Sequence, residues 1–174
     1  MHDTHQHQWI PPNIFHCVTG TWTMAAGAVS NTIAISKAAA DNTAVVTIPI
    51  DVPMNDGPDK GSQLISIDCY WEVLTAAMDA VTALIHKVTL PADTVAIGTV
   101  ESLAFTYDTG HDTAPERLTL EQHSMTLTLT TPLWVEDDWV IQVQLTMDAA
   151  LTSALTMFGA RANFTSRLGV YHDP

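Results

Sequence analysis

The sequence predicts an all-β fold: an antiparallel β-sandwich of jelly-roll topology, built from about eight strands behind an extended N-terminal arm. Two observations carry this reading. Short runs rich in Thr, Val, Ile and aromatic residues alternate with clusters of Gly, Pro, Asn and Asp, the pattern of strands separated by turns. Three of the runs, 63–74, 123–131 and 139–147, alternate apolar and polar residues with a period of two, which turns one face of each toward a core. At 174 residues the chain lies within the single-domain range. Residues 1–13 read as the arm, 14–170 as one sandwich and 171–174 as a tail.

The elements follow in order. The arm is polar and His-rich and closes on Pro11 and Pro12, which favour extended backbone and cannot donate hydrogen bonds. Runs 29–36 and 43–52 read as strands joined by a turn at Asp41 and Asn42, the second an edge strand because Pro49 removes a ladder donor. The stretch 54–61, with two glycines and a proline among charges, reads as a loop. In 63–74, Ile65, Ile67, Cys69, Trp71 and Val73 share one face and Leu64, Ser66, Asp68, Tyr70 and Glu72 the other. Residues 73–88 also fit helical spacing, but β-branched content favours a hairpin connection over 75–80 and a strand over 81–90 that Pro91 ends. A strand over 100–107 and a polar loop over 108–117 come next. The strand 123–131 turns Met125, Leu127 and Leu129 inward and stops at Pro132. In 139–147, Trp139, Ile141, Val143 and Leu145 face inward. The last strand, 154–168, sets Met157, Gly159, Arg161 and Asn163 against Phe158, Ala160, Ala162 and Phe164.

Composition narrows the function. Six Lys and Arg against 19 Asp and Glu leave a formal net charge of −13, which repels a phosphate backbone and argues against nucleic acid as a partner. The hydrophobic fraction of 47% is too high for a disordered chain. No long uninterrupted apolar run offers a membrane span, and residues 1–13 lack the Lys or Arg and apolar run of a secretory signal. Cys17 and Cys69 stand outside any CxxC pattern and read as two buried free thiols, with one disulfide left open for a protein working outside a cell.

Few residues point to chemistry. There is no GxSxG, HExxH or Gly-rich phosphate loop, and the single H-x-H, His5 to His7, precedes every strand, so no catalytic residue and no cofactor is assigned. His2, His5 and His7 on a flexible arm could meet one metal ion, and His111 beside Asp112 has the look of a histidine-carboxylate pair. Asp51, Asp56 and Asp59 in one loop, and Glu136, Asp137 and Asp138 in another, hold the oxygen ligands that Ca²⁺ takes, though in neither an EF-hand nor a nonapeptide pattern. Of the five tryptophans, Trp71 and Trp139 fall on apolar strand faces and belong to the core. Trp9, followed by Ile10, Pro11 and Pro12, is the candidate for an assembly contact on a neighbouring subunit.

Four segments resemble a known group: GSQLISIDCYWEV from Gly61, YDTGHDT from Tyr107, EQHSMTLTLTTP from Glu121 and GARANF from Gly159. They are similar to small β-sandwich proteins of tailed-bacteriophage virions, of the decoration or fibre-head kind, over about residues 61–168. The resemblance implies a non-enzymatic structural protein that self-associates, as a trimer by preference, and meets a capsid or fibre protein on a virion surface after assembly in a host cytoplasm. Two alternatives stand beside it. One is a carbohydrate-binding β-sandwich whose exposed Trp or Tyr stacks on sugars while loop acids hold Ca²⁺. The other is a subunit of a bacterial extracellular fibre or surface layer.

Overall fold

The computed structural model describes residues 3–26, 33–51, 61–91 and 98–167. Among them are twelve strands: β1 (Asp3–Ile10), β2 (His16–Thr19), β3 (Trp22–Ala26), β4 (Ile33–Lys37), β5 (Asn42–Ile50), β6 (Gly61–Leu74), β7 (Met78–Thr89), β8 (Thr99–Leu103), β9 (Phe105–Tyr107), β10 (Gln122–Trp134), β11 (Trp139–Ala149) and β12 (Ala154–Arg167). They form two antiparallel sheets. The seven-stranded sheet runs β3-β4-β12-β6-β10-β9, with β1 also on β12, and the five-stranded sheet runs β2-β5-β11-β7-β8. The long strands thus face each other as β4-β12-β6-β10 against β5-β11-β7-β8, and most connections carry the chain from one sheet to the other. That is the jelly-roll arrangement expected.

The core lies between the sheets. Ile67, Cys69 and Trp71 of β6, Met125 and Leu127 of β10, and Ala160 and Ala162 of β12 meet Val46 and Ile48 of β5, Ile85 of β7 and Val143 and Leu145 of β11, all fully buried. Period-two burial over β7 and its antiparallel pairing with β11 settle the 73–88 ambiguity in favour of a strand.

Several expectations are corrected. The N-terminal segment is extended but is not a free arm: β1 pairs residue by residue with β12, from Asp3 opposite Arg167 to Ile10 opposite Ala160. β4 occupies that flank of β12 only over 155–157, and β1 supplies partners to the ladder positions beyond, which would otherwise face no strand. Ile10 and Pro12 are buried in their own sandwich. β6 and β7 lie in opposite sheets, so residues 75–77 make a crossing rather than a hairpin. The run 100–107 is likewise divided, into β8 of one sheet and β9 of the other. β5 is an edge only locally, because β2 pairs with it at Val45, Val46 and Thr47 and leaves Pro49 beyond.

Pro132 does not end β10, which resumes its pairing with β6 at Leu133 after a register shift. Two further shifts reset the alternation. Between Asn163 and Phe164 the β12 register slips against β6, so Leu64 is buried and Ile65 only half-buried. Between Met157 and Gly159 it slips again, so Met157 faces the core and Phe158 does not. A bulge adds one residue and reverses which face the following side chains take. Cys69 is buried as expected, whereas Cys17 is exposed on β2, and both are free thiols.

Candidate functional site

The outer face of the seven-stranded sheet carries a polar, aromatic-bearing surface where β1, β12, β6 and β10 run side by side. The bulge in β12 creates it. Gly159 adopts a φ of +145°, a backbone state that glycine alone takes easily, and beyond it Ala160, Ala162 and Phe164 point inward while Arg161 and Asn163 point outward. β1 then lays Trp9 opposite Arg161 and His7 opposite Asn163. The Trp9 ring closes over Gly159: a Cβ there would run into Trp9 Cζ2 and Cη2. Trp9 is 52% exposed, and its ring centroid lies 5.7 Å from that of Tyr70 on β6, with planes tilted by 37°.

Beneath these rings Asp68 organises the polar groups. It is 4% exposed. Thr126 Oγ1 donates to its Oδ1 at 2.7 Å. Its Oδ2 accepts from Arg161 Nε at 2.9 Å and Nη2 at 2.7 Å, and from Asn163 Nδ2 at 3.0 Å. Burial by itself would raise the Asp68 pKa, but the bonds from Asn163, Thr126 and Arg161, with the Arg161 charge, outweigh it and hold the carboxyl below its ordinary value. Burial and the neighbouring Asp68 charge push the Tyr70 phenol up, so it stays protonated and directs its hydroxyl at Asp68. Asn163 Nδ2 also donates to Ser66 Oγ at 3.0 Å, and His7 Nδ1 lies 2.6 Å from Asn163 Oδ1. Arg161, whose side chain is 43% exposed, is the half-open end of this network.

A second cluster is internal. His123 stacks on Trp71, with centroids 4.8 Å apart and planes 13° from parallel. His111 bridges His123 Nδ1 at 3.3 Å and Asp108 Oδ1 at 2.9 Å. The expected pairing of His111 with Asp112 is therefore replaced by Asp108, which also accepts from the backbone N–H of Thr126 at 2.6 Å and of Gly110 at 2.9 Å. Arg117 closes the loop by donating to the Val81 carbonyl and lying 4.3 Å over the Tyr107 ring. The cluster pins residues 108–121 onto the end of the sandwich.

Among the described residues the other candidates do not converge. Asp51 is exposed at the end of β5, and Asp56 and Asp59 lie outside the described residues, as do His2 and the 171–174 tail. Glu136, Asp137 and Asp138 are exposed in the β10–β11 turn, where the backbone of Glu136 and Asp138 holds Trp139 and Leu90. Among the described residues no group of three His, Cys, Asp or Glu side chains could hold a metal ion. His5 and His7 share the exposed face of β1. Of the proposed assembly set, Trp9 is exposed on the face above, whereas Ile10 and Pro12 are packed inside. Sequence reasoning found Trp9 but passed over Asp68, Tyr70, Arg161 and Asn163. The available signal was an ionised residue in the middle of the most regular strand and a single Arg enclosed by Gly, Ala and Asn.

Fold and face together define an antiparallel β-sandwich of jelly-roll order with an aromatic pair, exposed Trp9 and half-buried Tyr70, on one sheet. No known protein family and no curated protein matches the chain. Among solved structures it is similar to the CBM22-1-GH10 modules of a Clostridium thermocellum endo-1,4-beta-D-xylanase complexed with xylohexaose, at 11% identity and a TM-score of 0.44, over 98% of this chain and 29% of that one. It is also similar to TmCBM61 in complex with beta-1,4-galactotriose, at 7% identity and a TM-score of 0.39, over 94% and 88% of the two chains. A family two carbohydrate esterase from Cellvibrio japonicus is a third, at 6% identity and a TM-score of 0.40, over 97% of this chain and 36% of that one. The chain thus spans about a third of the length of the xylanase and the esterase.

Proposed function

We propose that this chain is a carbohydrate-binding β-sandwich, with the sugar seated on the outer face of the seven-stranded sheet. The carrying observation is the exposed Trp9 beside Tyr70, next to polar groups already held in place by buried Asp68. A sugar ring offers an apolar C–H face to an aromatic ring and hydroxyls at its edge. Aromatic anchors with a few fixed polar groups are the economical way to bind it. Preorganisation matters here, because Arg161 and Asn163 are oriented before any ligand arrives. The reading stands on these side chains rather than on likeness of fold.

The test is retention of the protein on a panel of immobilised glycans, repeated with Trp9→Ala and Tyr70→Ala. Binding by the unaltered chain that either variant loses by tenfold or more supports the reading. Equal retention of all three proteins overturns this face as the site.

A second reading, self-association, draws on the other sheet. Val140, Val88 and Val100 are register neighbours across β11, β7 and β8, and Val140 and Val100 are 39% and 65% exposed. Solution mass by light scattering tests it: a stable oligomer that Val100→Lys dissociates supports it, and a monomer overturns it.

A further inference from the structure

Resting on the carbohydrate reading, we infer that the site takes an uncharged glycan and reads its hydroxyls with Arg161 as donor and His7 as acceptor, beside the ring of Trp9. Two independent arguments lead there.

The first is charge. Arg161 lies against Asp68 at 2.7 Å, so its charge is matched within the face, and among the described side chains of β1, β12, β6 and β10 no other Lys or Arg stands there for an anionic ligand. Glu72, two residues beyond Tyr70 on the same face of β6, adds a negative charge, and the chain carries a formal −13. A carboxylated or sulfated polysaccharide would approach a like-charged surface without a compensating cation cluster.

The second is hydrogen-bond accounting. Asn163 uses both amide hydrogens, on Ser66 Oγ and Asp68 Oδ2. Its Oδ1 is then purely an acceptor, so the 2.6 Å contact requires His7 Nδ1 to carry the proton. In the uncharged ring that tautomer leaves Nε2 of the exposed His7 without a proton, an acceptor. Arg161 uses Nε and Nη2 on Asp68, which leaves Nη1 as the donor for a ligand. His7 and Trp9 stand two residues apart on the exposed face of β1, and Trp9 is the cross-strand neighbour of Arg161. The surface therefore presents an acceptor, His7 Nε2, and a donor, Arg161 Nη1, beside the aromatic pair. A hydroxyl satisfies both, because it donates and accepts; an ionised carboxylate or sulfate only accepts and leaves His7 Nε2 unmet.

The experiment compares binding of the full chain to uncharged oligosaccharides (cello-, xylo- and galacto-oligomers) and to polygalacturonate and heparin, at low and high salt, and repeats it with His7→Ala. The expected result is binding to an uncharged oligomer that salt does not weaken and that His7→Ala reduces about tenfold, the loss of one hydrogen bond to the ligand, with the fold retained because the other bond lost, to Asn163, is an exposed one. Binding of polygalacturonate or heparin in preference, weakening steeply with salt, overturns this inference and leaves the carbohydrate reading standing. Uncharged binding that His7→Ala does not alter overturns the assignment of the acceptor. Failure of every glycan to bind overturns the carbohydrate reading itself.

Discussion

Arg161 Nε and Nη2 both donate to the same oxygen of Asp68, Oδ2, at 2.9 and 2.7 Å, across the pairing of β12 with β6. The arrangement leaves Oδ1 to Thr126 on β10, so one buried carboxylate ties three adjacent strands. Asp68→Ala would strip the acceptor from Thr126, Arg161 and Asn163 together. Arg161 is half-exposed and can rehydrate, so the cost falls short of a fully buried broken pair, at about 2–3 kcal/mol. Urea unfolding of the variant measures it, and a loss below about 0.5 kcal/mol would show that the network adds nothing to stability.

Acid should destabilise the fold in two steps. Burial lowers the His123 pKa, aided by the His111 charge, so the folded ring resists a proton that the unfolded chain takes up near pH 6.5. Asp68 and Asp108 are held below their ordinary values. For Asp108, burial pulls upward but is outweighed by the Thr126 and Gly110 backbone bonds and by His111. All three groups bind fewer protons folded than unfolded. Their stabilisation is complete above the unfolded pKa and disappears as the pH falls through the folded one. Thermal midpoints should therefore decline gently below about pH 6.5 and steeply below about pH 4. His123→Gln should remove the upper limb alone, and a profile flat down to pH 3 would contradict the assignment.

Gly159→Ala tests how Trp9 is held. The new methyl would run into Trp9 Cζ2 and Cη2, and a φ of +145° is strained for alanine. The expected cost is about 1–3 kcal/mol, with a shift in tryptophan emission as the ring leaves its seat and a parallel loss of glycan retention. Unchanged emission with unchanged stability would mean that Trp9 does not rest there.

The thiols should separate cleanly. Cys17 is exposed on β2, while burial, with a contribution from the Asp68 charge, pushes the Cys69 thiol up to about 12. Reaction with a disulfide reagent should count one thiol per folded chain and two in denaturant. Two thiols reacting at once in the native protein would mean that the β6 core is open.

Much of this architecture was readable along the chain. The alternation in 139–147 put Ile141, Val143 and Leu145 inward, and all three are buried. The same reasoning lost phase at Ile65 and Phe158, because each lies at a bulge whose extra residue is defined by the partner strand and leaves no mark in local periodicity. It also read 1–13 as an arm: β1 fills the flank of β12 that lies beyond Met157, where the pairing with β4 ends.

The sequence by itself determined the fold class and the strand composition, because period-two burial and turn residues are local properties of the chain. Only the tertiary structure decided that Trp9 would lie beside Tyr70 and opposite Arg161, with His7 against Asn163. Those partners stand 61 and more than 150 residues away along the chain, and nothing but the pairing of β1 with β12 and of β12 with β6 brings them to one face. The physical reason is that burial is written residue by residue, whereas register is a relation between strands, fixed only when the ladder closes.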